Sequence, residues 1–320
     1  MVNPLTQLRR SLYLPYARIP QGRLVELPGR GSTYVTDTPG PAPDSPAVVL
    51  LHALGCTGLL TWFPAIEPLS RRFRVITLDL RWHGQGIQSD EFSLVDCADD
   101  VGALIDELEL GEAIVAGYSM GSIVAQRVWR QHGPKVRGLV LCATTDRFQM
   151  TLGERLFFTS MGATMLGLRT VSRSRTAVHA SRTAARALDL EPRDIEEWAL
   201  AELRSTSPWA VASAIAALGR HHSRPWLGAI DVPAAVVVNR SDHVIRPSRQ
   251  LALAAAIPGA TIHDIDTGHA ACVLETETFV PAFVEAVATV NARRRDFKRA
   301  AGGEERGAGV GSRRLSKRRG

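Results

Sequence analysis

IVAGYSMGSIVAQ, residues 114–126, decides how the rest of the chain is read: an apolar run, a serine with glycine two places to either side, then a second apolar run. Continuous apolar residues suit a strand buried on both faces, and the run after the serine suits a covered helix. A serine at such a strand-to-helix junction has to turn sharply, and glycines at 117 and 121 clear the space that side chains would otherwise fill. This is the G-x-S-x-G nucleophile elbow, which lifts the Ser119 hydroxyl above a sheet at the start of a helix. The pentapeptide recurs by chance; its placement between an apolar strand and a helix gives it meaning. The helix start also carries partial positive charge, which favours a developing oxyanion.

Outward from the elbow the chain alternates strands and helices. A hairpin is expected around Pro28-Gly29. Strand signals follow at 47–53, 73–80, 113–119, 136–145, 233–241 and 260–266, and helical patterns at 98–110, 122–133 and 276–292. Alternation of this kind predicts a mostly parallel sheet covered on both faces. Residues 147–222 carry no strand signal and read as an inserted helical lid, with breaks near Gly167, Glu191-Pro192 and Ser207-Pro208. The expected organisation is an extension at 1–21, a core at 22–146 and 223–292, the lid between, and a basic tail at 293–320.

A protonated serine hydroxyl is a poor nucleophile and needs a base. His269 follows the 260–266 strand in the loop Thr267-Gly268-His269-Ala270, and Asp242 follows the 233–241 strand in a polar turn. The chain order Ser119, Asp242, His269 is the one this elbow architecture uses, and all three positions follow strand ends. Two N–H donors for an oxyanion are assigned to Met120, just after the serine, and Leu54, in the loop after the 47–53 strand.

Composition removes other classes. No stretch approaches the ~20 apolar residues of a membrane span, and the first residues lack the apolar segment of a secretory signal. The four cysteines, Cys56, Cys97, Cys142 and Cys272, form no close-spaced metal pattern and suit buried fillers in a reducing cytoplasm. The net charge of +6 is concentrated at one end: residues 293–320 hold eleven Lys/Arg against three Asp/Glu, leaving 27 basic and 29 acidic residues elsewhere. The tail is therefore expected to be disordered and suited to weak contact with anionic surfaces, with no specific nucleic-acid partner. Within the lid, 168–188 hold five arginines and no acid. They either pair with the acidic stretch 191–202 or receive an anionic group of the substrate.

The chain resembles the α/β-hydrolase superfamily over roughly residues 22–292. The motifs that carry the likeness are LLHALG (50–55), LDLRWHGQG (78–86), GYSMG (117–121), NRSDHVIRP (239–247) and TGHA (267–270). The resemblance implies an eight-stranded sheet, a triad of Ser119, Asp242 and His269, and kinship with the esterase, lactonase and cofactor-free haloperoxidase branch. Asp146, after the 136–145 strand, is the alternative triad acid. Four positions depart from the family pattern: Ala53 for the usual glycine after His52, Trp82 and Gly86 in the 79–86 loop, and Ser122 for a common third glycine.

The expectation is a cytoplasmic serine hydrolase that takes a small ester, lactone or thioester through an acyl-enzyme, without a metal or organic cofactor. Alternatives on the same residues are carbon–carbon bond hydrolysis, acyl transfer and cofactor-free haloperoxidation; a non-catalytic ligand-binding protein is the alternative of another class.

Overall fold

The structure is a computed structural model, and it describes residues 19–149, 152–156 and 195–311. An eight-stranded sheet runs through the molecule in the order β1-β2-β4-β3-β5-β6-β7-β8. The hairpin expected around Pro28-Gly29 is β1 (Arg23–Leu27) and β2 (Gly31–Thr38). β2 pairs antiparallel with β4 (Arg74–Leu78), and every later pairing is parallel. The remaining strands are β3 (Ala47–Leu51), β5 (Ala113–Tyr118), β6 (Val136–Cys142), β7 (Ala234–Asn239) and β8 (Thr261–Ile265).

β3, β5 and β7 are buried throughout because helices cover both faces, and the two-residue period divides their side chains between two cores. Val49 and Leu51 of β3 join Val115 of β5 on one face, against helices α2 (Leu94–Glu107) and α3 (Met120–His132). Val48 and Leu50 join Ile114 and Ala116 on the other, against α1 (Gly58–Ser70) and the last helix. Each fully buried aliphatic side chain of this kind contributes about 1.5–3 kcal/mol. Trp62, Tyr118, Phe279 and Phe283 form an aromatic layer in the second core, directly beneath the elbow.

Between β6 and β7 the described residues form a helical turn at 152–156, then α4 (Ile195–Arg204), α5 (Pro208–Gly219) and the short α6 (Arg224–Leu227). The break at Ser207-Pro208 is an N-cap: the Ser207 hydroxyl accepts the Ala210 N–H, and Pro208 occupies the first turn, where a missing N–H costs nothing. Helix α4 docks onto the core. Its Trp198 packs edge-on against Phe63 with centroids 5.1 Å apart, and Glu202 accepts the Thr57 hydroxyl. The breaks expected at Gly167 and Pro192, and the arginine-rich stretch 168–188, lie outside the described residues.

After β7 come α7 (Pro247–Ala256), β8, the short α8 (Ala271–Leu274) and α9 (Thr276–Gly311). The expected helix at 276–292 thus continues to Gly311. Arg293 and Arg294, placed at the start of a disordered tail by composition, are anchored: Arg293 donates to the Gly259 carbonyl at 2.6 Å and Arg294 pairs with Glu112 at 2.8 Å. Charge density argues against burial, not against a helix, and these two guanidinium groups find acceptors on the core surface. Residues 312–320 lie outside the described residues. Among the described residues no helix is long and apolar enough to cross a membrane.

Candidate active site

Parallel strands bring their carboxyl ends to one edge of the sheet. Ser119 follows β5 there, Asp242 follows β7 and His269 follows β8. Ser119 sits at φ 51° and ψ −111°, a conformation that side chains seldom adopt and that only tight surroundings maintain. The two glycines make it possible. A Cβ on Gly117 would overlap the backbone of Gly121, and a Cβ on Gly121 would overlap the Leu51 carbonyl. Ser122 stitches the turn, accepting the Cys142 N–H at 2.9 Å and donating to the Gly117 carbonyl at 2.6 Å. A hydroxyl where the family often has glycine is thus a strap between β5 and β6.

The three side chains named from the sequence meet. Ser119 Oγ lies 3.1 Å from His269 Nε2, and His269 Nδ1 lies 2.8 Å from Asp242 Oδ2. Asp242 is fully buried and is held by further donors: the backbone N–H groups of Val244 and Ile245, each 2.8 Å from Oδ1, and Gln250 Nε2, 3.1 Å from Oδ2. A carboxylate so occupied has one oxygen turned to the ring, which fixes a proton on Nδ1 and leaves Nε2 free to accept the serine proton. Asp146 is elsewhere. Its carboxylate contacts the Thr145 hydroxyl at 3.3 Å and lies 3.7 Å from Arg224.

Of the two donors expected from the sequence, Leu54 lies in the loop after β3 and Met120 at the first position of α3, after β5. Neither the Leu54 nor the Met120 N–H is engaged in a hydrogen bond among the described residues, and Met120 begins α3, where the helix itself supplies no acceptor. His52 braces this loop. Its Nε2 accepts the Leu80 N–H at 2.9 Å, so Nδ1 carries the proton that goes to the Ala53 carbonyl 2.7 Å away. Burial, with His83 nearby, pushes its pKa down to about 3 and keeps it neutral. The left-handed turn of the loop falls on Gly55, at φ 74°, and Ala53 keeps an ordinary φ, so its Cβ strains nothing. Trp82 does adopt a left-handed φ of 67°, secured by its N–H to the Ile87 carbonyl at 3.0 Å and its indole N–H to Ser89.

Cys56 and Cys272, near the site in sequence, are free thiols pushed up by burial, Cys56 to about 11, and offer no thiolate nucleophile. Among the described residues no group of three His, Cys, Asp or Glu is placed to hold a metal ion. A cavity of about 380 Å³ beside Thr57, Asp79 and Glu202 includes none of the three triad side chains in its lining.

The profile of the alpha/beta hydrolase fold family matches residues 46–276, most of the chain and all of the site just described. The chain belongs to the alpha/beta hydrolase fold family. Within it, the chain is 29% identical to the magnesium-chelatase 30 kDa subunit of Rhodobacter capsulatus, over 74% of this chain and 84% of that protein. It is 23% identical to 3-oxoadipate enol-lactonase 1 of Acinetobacter baylyi, over 79% and 92% respectively. The crystal structure of a hydrolase from Pseudomonas aeruginosa superposes with a TM-score of 0.65 at 25% identity, over 83% of this chain and 97% of that one. In this family the eight-stranded, mostly parallel sheet and its covering helices are the shared fold, and the chain carries both.

The sequence reading missed four residues at the site: His52 as a brace, and Tyr118, Asn239 and Gln250 beneath the triad. The sequence carries no signal for these roles: Asn239 opens the polar turn Arg240-Ser241-Asp242 and Gln250 follows Ser248-Arg249, so neither stands out as a buried position.

Proposed function

We propose that this alpha/beta hydrolase is a serine hydrolase that cleaves a small carboxylic ester, lactone or thioester through an acyl-enzyme. The reading rests on one observation, the continuous contact from Ser119 Oγ to His269 Nε2 and from His269 Nδ1 to Asp242, at 3.1 and 2.8 Å. Ser119 attacks the carbonyl carbon while His269 accepts its proton, and the buried Asp242 stabilises the imidazolium that results. The Leu54 and Met120 amides receive the negative charge that develops on the carbonyl oxygen. His269 returns the proton to the leaving alcohol or thiol, then activates water against the acyl-enzyme.

The likeness to an enol-lactonase supports lactone or ester chemistry, and the likeness to the P. aeruginosa hydrolase supports hydrolysis in general. The name of the R. capsulatus relative is that of a chelatase subunit and mentions no hydrolysis. A non-catalytic role leaves the strained Ser119 and the buried Asp242 without a purpose, so hydrolysis is the favoured reading. A panel of chromogenic esters of increasing acyl length tests it. Turnover that Ser119→Ala abolishes supports the proposal; turnover that survives in Ser119→Ala, or none with any ester, lactone or thioester, overturns it.

A further inference from the structure

Beneath the triad, three side chains that touch no substrate position tie its three loops together. Tyr118, the residue before the serine, is buried, and its hydroxyl donates to the His269 carbonyl at 2.8 Å. With its one proton so committed, the phenol oxygen accepts from Asn239 Nδ2 at 3.0 Å. The same Asn239 amide donates to the Gly268 carbonyl at 2.7 Å. Two consecutive carbonyls of the histidine loop are thus clamped from below, while Glu275 holds that loop from its other side by accepting the Gly268 N–H at 2.8 Å.

Gln250 extends the network to the acid. Its Oε1 accepts the Asn239 N–H at 3.0 Å, and its Nε2 donates to the Ile245 carbonyl at 2.7 Å and to Asp242 Oδ2 at 3.1 Å. The amide cannot turn over, because either end would then face a group of its own kind. Both Asn239 and Gln250 are fully buried, and burial also pushes the Tyr118 phenol well above its ordinary pKa, so it remains a donor. Unpaired, each of these groups would carry a desolvation cost of about 1–3 kcal/mol. Their pairing gives the loops one arrangement.

We infer that Tyr118, Asn239 and Gln250 act as one unit of positioning residues, which sets the distance between His269 and Ser119 by gripping the backbone of the histidine loop and the Asp242 oxygen that faces the ring. The inference rests on the triad reading above. Nothing in the unit takes a proton from substrate; its effect is to hold the base within reach of the nucleophile, where displacement by about 1 Å costs on the order of 100-fold in rate.

Tyr118→Phe is the test, because the ring keeps its packing against Trp62 and Phe279 and loses only the hydroxyl. With a chromogenic ester, kcat is expected to fall about 10- to 100-fold while KM changes less than about threefold. The rate of phosphonylation of Ser119 by a fluorophosphonate should fall by the same factor, with the melting temperature within a few degrees of the parent. Asn239→Ala carries the same expectation, and it serves if Tyr118→Phe does not fold. The double variant should cost no more than the worse single one, as members of one network do. Folded variants with kcat and labelling rate within about twofold of the parent overturn the inference, and they leave the triad standing provided Ser119→Ala is inert. A Ser119→Ala protein that still turns over or labels overturns the triad reading and, with it, the inference.

Discussion

Replacing Asp242 by asparagine changes one atom, and the surrounding hydrogen bonds dictate which way the new amide faces. Oδ1 receives the backbone N–H groups of Val244 and Ile245, both at 2.8 Å, and a backbone cannot reverse them. The asparagine carbonyl must therefore keep that place, and its NH₂ must point at His269 Nδ1 and Gln250 Nε2. Gln250 cannot respond by flipping, since its Oε1 and Nε2 are committed to Asn239 and Ile245. Two consequences follow. Donor faces donor at Gln250, which costs about 1–3 kcal/mol of stability. His269 is driven to the tautomer with its proton on Nε2, so it meets the Ser119 hydroxyl as a donor and cannot serve as base. The same exchange in a serine protease lowers kcat roughly 10⁴-fold, about 5 kcal/mol of barrier at 1.36 kcal/mol per decade. Chromogenic ester turnover should show kcat and kcat/KM falling together by 10³- to 10⁴-fold, about the range of that precedent. Circular dichroism and a melting curve would establish that the variant is folded. A folded Asp242→Asn protein within tenfold of the parent kcat refutes the reasoning.

Other perturbations test the scaffold. Asp100 accepts two guanidinium N–H groups of the buried Arg81, from Nε at 2.9 Å and Nη2 at 2.7 Å, and Arg30 Nε at 2.5 Å; Asp100→Ala should lower stability by about 3–5 kcal/mol by stranding a buried charge, measured by urea unfolding. Burial holds His52 and His221 down to about 3 and His83 to about 4. Unfolded, each titrates near 6.5, so below that pH the unfolded chain binds protons the folded chain refuses, and stability falls with pH until about 3–4. His221→Leu should flatten this dependence by about 1.4 kcal/mol per pH unit between pH 6 and 4. It should cost little at pH 8, because neither ring nitrogen has a hydrogen-bond partner among the described residues. An unchanged slope would count against it. Gly121→Ala should not yield soluble folded protein on expression, since the new methyl meets the Leu51 carbonyl; recovery of a normal melting curve would contradict the elbow geometry.

Much of this was legible in the sequence. The elbow stood out because small residues interrupt an apolar strand where bulk would otherwise be favoured, and the order of Ser119, Asp242 and His269 after strand ends followed from it. Helix α1 was not legible. Pro64 and Pro68 lie inside it and most of its residues are buried, so it shows neither an uninterrupted helical run nor a polar face. The strap at Ser122, the brace at His52 and the unit of Tyr118, Asn239 and Gln250 were invisible for another reason. Each acts through contacts between residues far apart in the chain, such as the 121 positions between Tyr118 and Asn239, and periodicity carries no record of those.

Mass spectrometry of the full chain after exposure to a fluorophosphonate addresses the central claim most directly, since the probe bonds covalently to an activated serine. One adduct on the peptide that contains Ser119, absent in Ser119→Ala and formed far more slowly in His269→Ala, is the result expected here. A folded protein that gains no adduct, or gains one on another residue, would contradict it.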